Sequence, residues 1–158
     1  MKVCVCSSLA IAAPSNASCR SSGSAWAKAL FPESTGILMN LFRASPVPLT
    51  VNIPDDLPQI EIDATRIRQV LINLVTNAYR HTTQGSVSID ATAYPHEIEI
   101  AVCDTGAGIA PDQLAHIFEQ FYQVDASLSR KHGGVGIGLT LSRQFVESHG
   151  GRIHAESA

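Results

Sequence analysis

No apolar run in the 158-residue sequence approaches the roughly 20 residues that a membrane-spanning helix needs, so the chain reads as soluble, without a transmembrane segment, and is expected in the cytoplasm. Basic residues are neither abundant nor clustered. Eleven Lys and Arg stand against 14 Asp and Glu, for a net charge of -3 and a pI near 6.0. That balance excludes the electrostatic footprint of a nucleic-acid or anionic-membrane binder, and any phosphate the protein holds must be held locally. Cysteine is scarce as well. Cys4, Cys6, Cys19 and Cys103 are the full set, and a disulfide framework is not expected in a chain able to bury this much core. Cys4 and Cys6 have no second Cys or His pair at a spacing that would complete a tetrahedral site, so no structural metal is expected. With 45% hydrophobic and 16% charged residues, the composition is that of one globular domain around a single core.

The clearest signal is the stretch Asp63 to Thr82, DATRIRQVLINLVTNAYRHT. Ile67, Val70, Leu71, Leu74, Val75 and Ala78 recur at three- and four-residue steps, which predicts a helix with one buried stripe and Asp63 as its N-cap. At about 100° per residue, Arg66, Gln69, Asn73, Asn77 and Arg80 form a polar line along one margin of that stripe, where a pocket could border it. Asn is a mediocre helix former. Two of them at i and i+4 stack amide groups as a metal or polar ligand would require, although two solvated helical Asn would read the same way.

Before this helix, residues 1–48 read as a leader, disordered or foreign to the domain. Lys2, the mostly apolar run Val3 to Ala13 and the Ser-rich PSNASCRSSGS resemble a weak secretory signal, with Asn16, Ala17 and Ser18 near a small-residue cleavage point. A short helix is expected around Ile37, Leu38, Leu41 and Phe42, and a strand over Leu49 to Ile53, between two prolines. After the main helix, Ser86 to Thr92 and Glu97 to Cys103 alternate apolar and polar residues about Tyr94, Pro95 and His96, which predicts an antiparallel hairpin. A short helix is expected over Pro111 to Phe118 and a longer one over Leu139 to His149, stopped by Gly150 and Gly151, with a final strand from Arg152 to Glu156.

Three further stretches carry chemistry beside the polar line of the helix. In DTGAGI, Asp104 leaves the hairpin's second strand, where a carboxylate can accept from an amine while Gly106 and Gly108 let a flat ligand approach the backbone. In isolation a turn acid reads equally well. Phe118 and Phe121 are expected to anchor to the core a polar loop, Gln123 to His132, which carries Arg130 and Lys131 as a lid over phosphates would. In HGGVGIGL, Gly133, Gly134, Gly136 and Gly138 lead into a helix whose first N–H groups make an anion site. The order of the four stretches is more specific than any one.

In that order they resemble the catalytic, ATP-binding (HATPase_c) domain of sensor histidine kinases, within the GHKL superfamily that also holds gyrase, heat-shock chaperone and mismatch-repair ATPases. The resemblance covers residues 49–158, roughly two thirds of the chain. Asn73 to Asn77 resembles the family's N box, Asp104 to Gly108 its first glycine box, Phe118 to Phe121 its F box, and Gly134 to Gly138 its second glycine box. The fold this implies is a two-layer α/β sandwich of the Bergerat type, with helices on one face of a mixed sheet. The cofactors it implies are ATP and Mg²⁺, the metal at Asn77 with Asn73 beside it. It also implies phosphate contact by Arg80, His81 near the adenine and Asp104 accepting the adenine amine. Gly106, Gly108, Arg130, Lys131, Gly134, Gly136, Gly138 and Leu139 complete the binding set, with Asn73, Asn77 and Arg80 as the catalytic group.

Three departures from the family's pattern are visible. Val135 stands where Thr is common, and the chain ends at Ala158, where the family continues through a glycine turn into a further core strand, so an open sheet edge is expected. No phosphoacceptor helix precedes the N box. His96 is followed by Glu97 but lies in the hairpin, and His116, His132, His149 and His154 read as surface or packing residues. The function implied is to bind Mg-ATP and present its γ-phosphate to a histidine on a separate, dimeric phosphoacceptor domain, with a response-regulator receiver downstream. The domain is then expected to be inactive alone. A regulatory nucleotide-binding module and a GHKL-type ATPase are the alternatives, and the second is disfavoured because Asn73 stands where those ATPases carry a water-activating Glu.

Overall fold

The computed structural model describes residues 5–12, 40, 42–43, 45–58, 60–123 and 136–157. Five strands, β1 (Val5–Ala12), β2 (Leu49–Asn52), β3 (Val87–Tyr94), β4 (Glu97–Asp104) and β5 (Arg152–Ser157), form one sheet in the order β2-β3-β4-β1-β5. Pairing is parallel between β2 and β3 and antiparallel elsewhere, so the sheet is mixed. Among the described residues the helices with defined bounds are α1 (Ala64–His81), α2 (Pro111–Leu114) and α3 (Gly138–Ser148). The two long ones pack on one face of the sheet, giving the two-layer α/β sandwich that the family resemblance implies.

Helix α1 forms as its pattern demands. The Asp63 side chain accepts from the N–H groups of Thr65 and Arg66, satisfying two of the orphan donors at the helix start. The six residues of the predicted stripe are its buried residues. Each such apolar side chain removed from water stabilises by about 1.5–3 kcal/mol, and Leu71→Ala would cost about 2–5 kcal/mol because the surrounding core cannot fully collapse. The stripe packs on Val87, Ile89 and Ala91 of β3 and Ile98, Ile100 and Val102 of β4, the alternating face predicted for the hairpin.

Helix α3 runs antiparallel to α1 and is tied to it at three heights. His149, just past the end of α3, accepts the Asp63 N–H at Nε2 (3.0 Å) and donates from Nδ1 to the Phe145 carbonyl (2.7 Å). A carbonyl can only accept and a backbone N–H only donate, so this imidazole is the neutral Nδ1–H tautomer. Arg66 stacks over the Phe145 ring at 5.1 Å, and Asn73 donates to Ser142 Oγ at 3.0 Å. Arg66 and Asn73 of the polar line therefore meet α3, while Gln69 and Arg80 are exposed.

Three expectations are corrected. The stretch read as part of an unstructured leader supplies β1, which lies between β4 and β5 and pairs with both. Its apolar run has a slot to fill, which linear composition could not reveal. Arg152 and Glu97 form a bidentate ion pair (2.6 and 2.7 Å) that joins the two strands flanking β1. Cys103 is disulfide-bonded, whereas no disulfide was expected. Strand pairing, invisible to cysteine spacing, sets Cys6 opposite Cys103 on neighbouring strands. The helix expected over Pro111 to Phe118 ends at Leu114 and passes into turns. Among the described residues, no helix is long and apolar enough to cross a membrane.

Candidate functional site

The turn after β4 meets the C-terminal end of α1, and the start of α3 meets α1 at its middle. Asn73 and Asn77 are half-buried on the α1 margin that faces α3, while Arg80 and His81 are exposed in the last turn. Gly138, the first residue of α3, comes so close to Asn73 that a Cβ there would overlap its amide oxygen. Glycine at that position is what lets the α3 start reach the Asn-bearing margin. The first intrahelical bond of α3 runs from Leu141 N to the Ile137 carbonyl (2.9 Å), so the N–H groups of Gly138, Leu139 and Thr140 precede the helix's own ladder. Leu139 packs against the core and fixes this end.

Asp104, the last residue of β4, is only 6% exposed. Its Oδ1 accepts from the Gly106 N–H (2.8 Å) and from the Thr82 hydroxyl (3.2 Å). Burial pushes the Asp104 carboxyl above its usual range, against the opposing pull of those two hydrogen bonds and of His81. Gly106 passes so near the His81 carbonyl that any Cβ would overlap it. The turn is pinned further by Thr105, whose N–H donates to the Ser86 carbonyl (3.1 Å) and whose Oγ1 accepts from Ser86 N (3.0 Å). Asp104 is thus fixed against the end of α1, and Gly108 turns the chain away at φ 77°.

Phe121 and Gly136 bring the remaining stretches together through their backbones. Phe121 N–H donates to the Gly136 carbonyl (3.1 Å), and Phe121 itself sits at φ 64°, a left-handed conformation costly for an aromatic residue. Phe121 is 67% exposed, which corrects the expectation that it anchors in the core. Phe118 is half-buried. Arg130, Lys131 and Gly134, expected to complete the site, lie outside the described residues, as does the predicted lid beyond Gln123. Two groups were missed by sequence reasoning: Thr82, a hydroxyl at the helix end next to His81, and Ser142, one turn into α3 after Gly138. Both could have been found by asking which polar side chains fall on the buried side of their helix.

Gly138 set against the Asn-bearing margin of α1, a buried strand-end carboxylate and the unladdered N–H groups of a helix N-terminus are elements with which an α/β sandwich can hold a nucleotide. The family described as histidine kinase-, DNA gyrase B- and HSP90-like ATPase matches residues 62–158, and the chain belongs to it. Sensor histidine kinase WalK of Bacillus subtilis is 38% identical over 109 residues, covering 67% of this chain and 18% of WalK. Circadian input-output histidine kinase CikA of Synechococcus elongatus is 44% identical over 96 residues, 60% of this chain and 13% of CikA. The chain therefore spans less than a fifth of the length of these two relatives. The catalytic domain of histidine kinase ThkA shares the fold at 24% identity, with a TM-score of 0.65 over 82% of this chain and 90% of that domain. Full-length ShkA in complex with AMPPNP shares it at 26% identity, with a TM-score of 0.66 over 84% of this chain and 29% of ShkA.

Proposed function

We propose that this domain binds Mg-ATP along the C-terminal half of α1, between the turn after β4 and the start of α3, and presents the γ-phosphate to a histidine on a separate, dimeric phosphoacceptor domain, from which a response-regulator receiver takes it. The observation that carries the reading is Asp104: a buried carboxylate at the end of the Asn-bearing helix, with Oδ1 tied to the scaffold by Thr82 and Gly106. Asp104 accepts the exocyclic amine of adenine, His81 lies beside the base, and Gly106 and Gly108 let the ring approach the backbone. Phosphates run toward Gly136 and the N–H groups of Gly138 and Leu139 that open α3, with Arg80 as the nearby cation and Arg130, Lys131 and Gly134 as further phosphate contacts.

The donor set fits a divalent cation brought in by the nucleotide. Among the described residues no three His, Cys, Asp or Glu side chains gather as a metal site. Mg²⁺ would instead be held by the amide oxygen of Asn77 and the nucleotide's own phosphates, all hard oxygen ligands. When bound it neutralises phosphate charge. The chain's own contribution is positioning. Asn73 supports transfer over hydrolysis: its NH₂ is engaged with Ser142 and an amide cannot deprotonate water. Calorimetric titration with ADP, with and without Mg²⁺, tests the reading. Submicromolar to micromolar binding that needs the metal is the expected result, and no binding of adenine nucleotides would refute it.

A further inference from the structure

Thr82 has no part in the assignments above, yet it is 4% exposed and, among the described residues, one of three buried polar ones, together with Asp104 and Ser142. It is the C-cap residue of α1, with an extended backbone (φ -109°, ψ 108°) that turns its side chain away from the helix ladder. Its hydroxyl donates to Asp104 Oδ1, the same oxygen that takes the Gly106 N–H. Neither bond occupies Oδ2. A carboxylate held by two donors on one oxygen cannot turn about its Cβ–Cγ bond without breaking both. We propose that Thr82 is the positioning residue for base selection: by pinning Oδ1 it leaves Oδ2 as a fixed acceptor, which suits the amine of adenine and opposes the carbonyl that guanine carries at the same place. This deepens the proposed function and rests on Asp104 being the base acceptor.

Two physical consequences distinguish this role from simple packing. A donor to the ionised carboxylate favours the charged form, so Thr82 opposes the upward push of burial on Asp104. Removing it raises that carboxyl further, and nucleotide binding, which needs the carboxylate, should fail at a higher pH on acidification. Freed rotation would also let Asp104 present its oxygens less selectively.

The test compares Thr82→Val, close in shape but without the hydroxyl, with Thr82→Ser, which restores the donor. ADP, GDP and inorganic triphosphate are titrated calorimetrically between pH 5 and 8. Thr82→Val should bind ADP about tenfold more weakly, lose part of the preference for ADP over GDP, bind triphosphate as before and show its acid limb shifted upward, with Thr82→Ser recovering all of these. If Thr82→Val does not fold by circular dichroism, Thr82→Ala, which admits a water, carries the same expectations. An unchanged ADP-to-GDP ratio and an unchanged acid limb in a folded Thr82 variant would overturn the inference. Asp104→Asn separates the two levels: if it abolishes base preference while Thr82→Val leaves it intact, only the Thr82 role fails. If Asp104→Asn also leaves the preference intact, the acceptor reading fails and Thr82 with it.

Discussion

Replacing Asp104 by Asn should separate binding from stability in opposite directions. An Asn side chain has the same shape, and its carbonyl can accept the Gly106 N–H and the Thr82 hydroxyl as Oδ1 does at 2.8 and 3.2 Å. What changes is the other end, where an acceptor becomes an NH₂ donor facing the amine donor of adenine. A hydrogen bond to a charged acceptor contributes about 1.5–3 kcal/mol, and at about 1.4 kcal/mol per decade its loss weakens ADP roughly ten- to hundredfold. Stability moves the other way. Burial raises the Asp104 carboxyl above its ordinary value of 3.8, so the native state binds that proton more readily than the unfolded chain does. The ionised group therefore opposes folding at neutral pH, and the opposition is relieved as pH falls through the raised value toward 3.8. Asp104→Asn removes this term, so its melting temperature should equal or exceed that of the parent at pH 7, with the gap closing on acidification. Calorimetric titration with ADP and triphosphate, alongside thermal melts from pH 4 to 8, measures both. An Asn variant that binds ADP like the parent, or that melts several degrees lower at pH 7, would refute the reasoning.

Asn77→Ala should remove the Mg²⁺ dependence of ADP binding, read by titration with and without the metal; a variant that still needs Mg²⁺ would move the metal site elsewhere. Ser142→Ala leaves the Asn73 NH₂ without its 3.0 Å acceptor in a half-buried position, so it should cost about 1 kcal/mol by chemical denaturation and weaken ADP several-fold as the α1–α3 seam loosens. Incubated alone with radiolabelled ATP, the chain should stay unlabelled and hydrolyse near background, because Asn73 is no general base and none of its histidines is expected on a helix that could deliver it in line with the γ-phosphate. Acid-labile phosphate mapped to any of its six histidines would overturn that.

Much of the fold was legible because periodicity is local. The apolar stripe of α1 and the alternating faces of β3 and β4 were read residue for residue, since burial on one face leaves no freedom in which side chains are apolar. The position of β1 was not legible. Its eight residues pair with strands far along the chain, and an apolar run carries no record of which slot it fills. The candidate site divides in the same way. Asp104, Gly106, Gly138 and the two Asn announce themselves by type and spacing. Thr82 and Ser142 matter only because the fold buries them next to Asp104 and Asn73, and a hydroxyl in a helix end is otherwise ordinary. Phe121 misled because aromatic character suggests burial, whereas its backbone, at φ 64°, makes the connection to Gly136.

The place of β1 also bears on how the chain folds. Strands β4 and β5 do not pair with each other, so until β1 arrives the sheet is a three-stranded β2-β3-β4 unit and a detached β5. Hairpin β3–β4 and helix α1 can assemble from neighbours in sequence, but β1 must find partners separated from it by most of the chain's length. Closing such loops costs entropy before any pairing repays it. The final sheet therefore depends on one late encounter, and the amides of β5 and of the β1-facing edge of β4 should exchange with solvent as a single unit, less protected than those shared by β3 and β4.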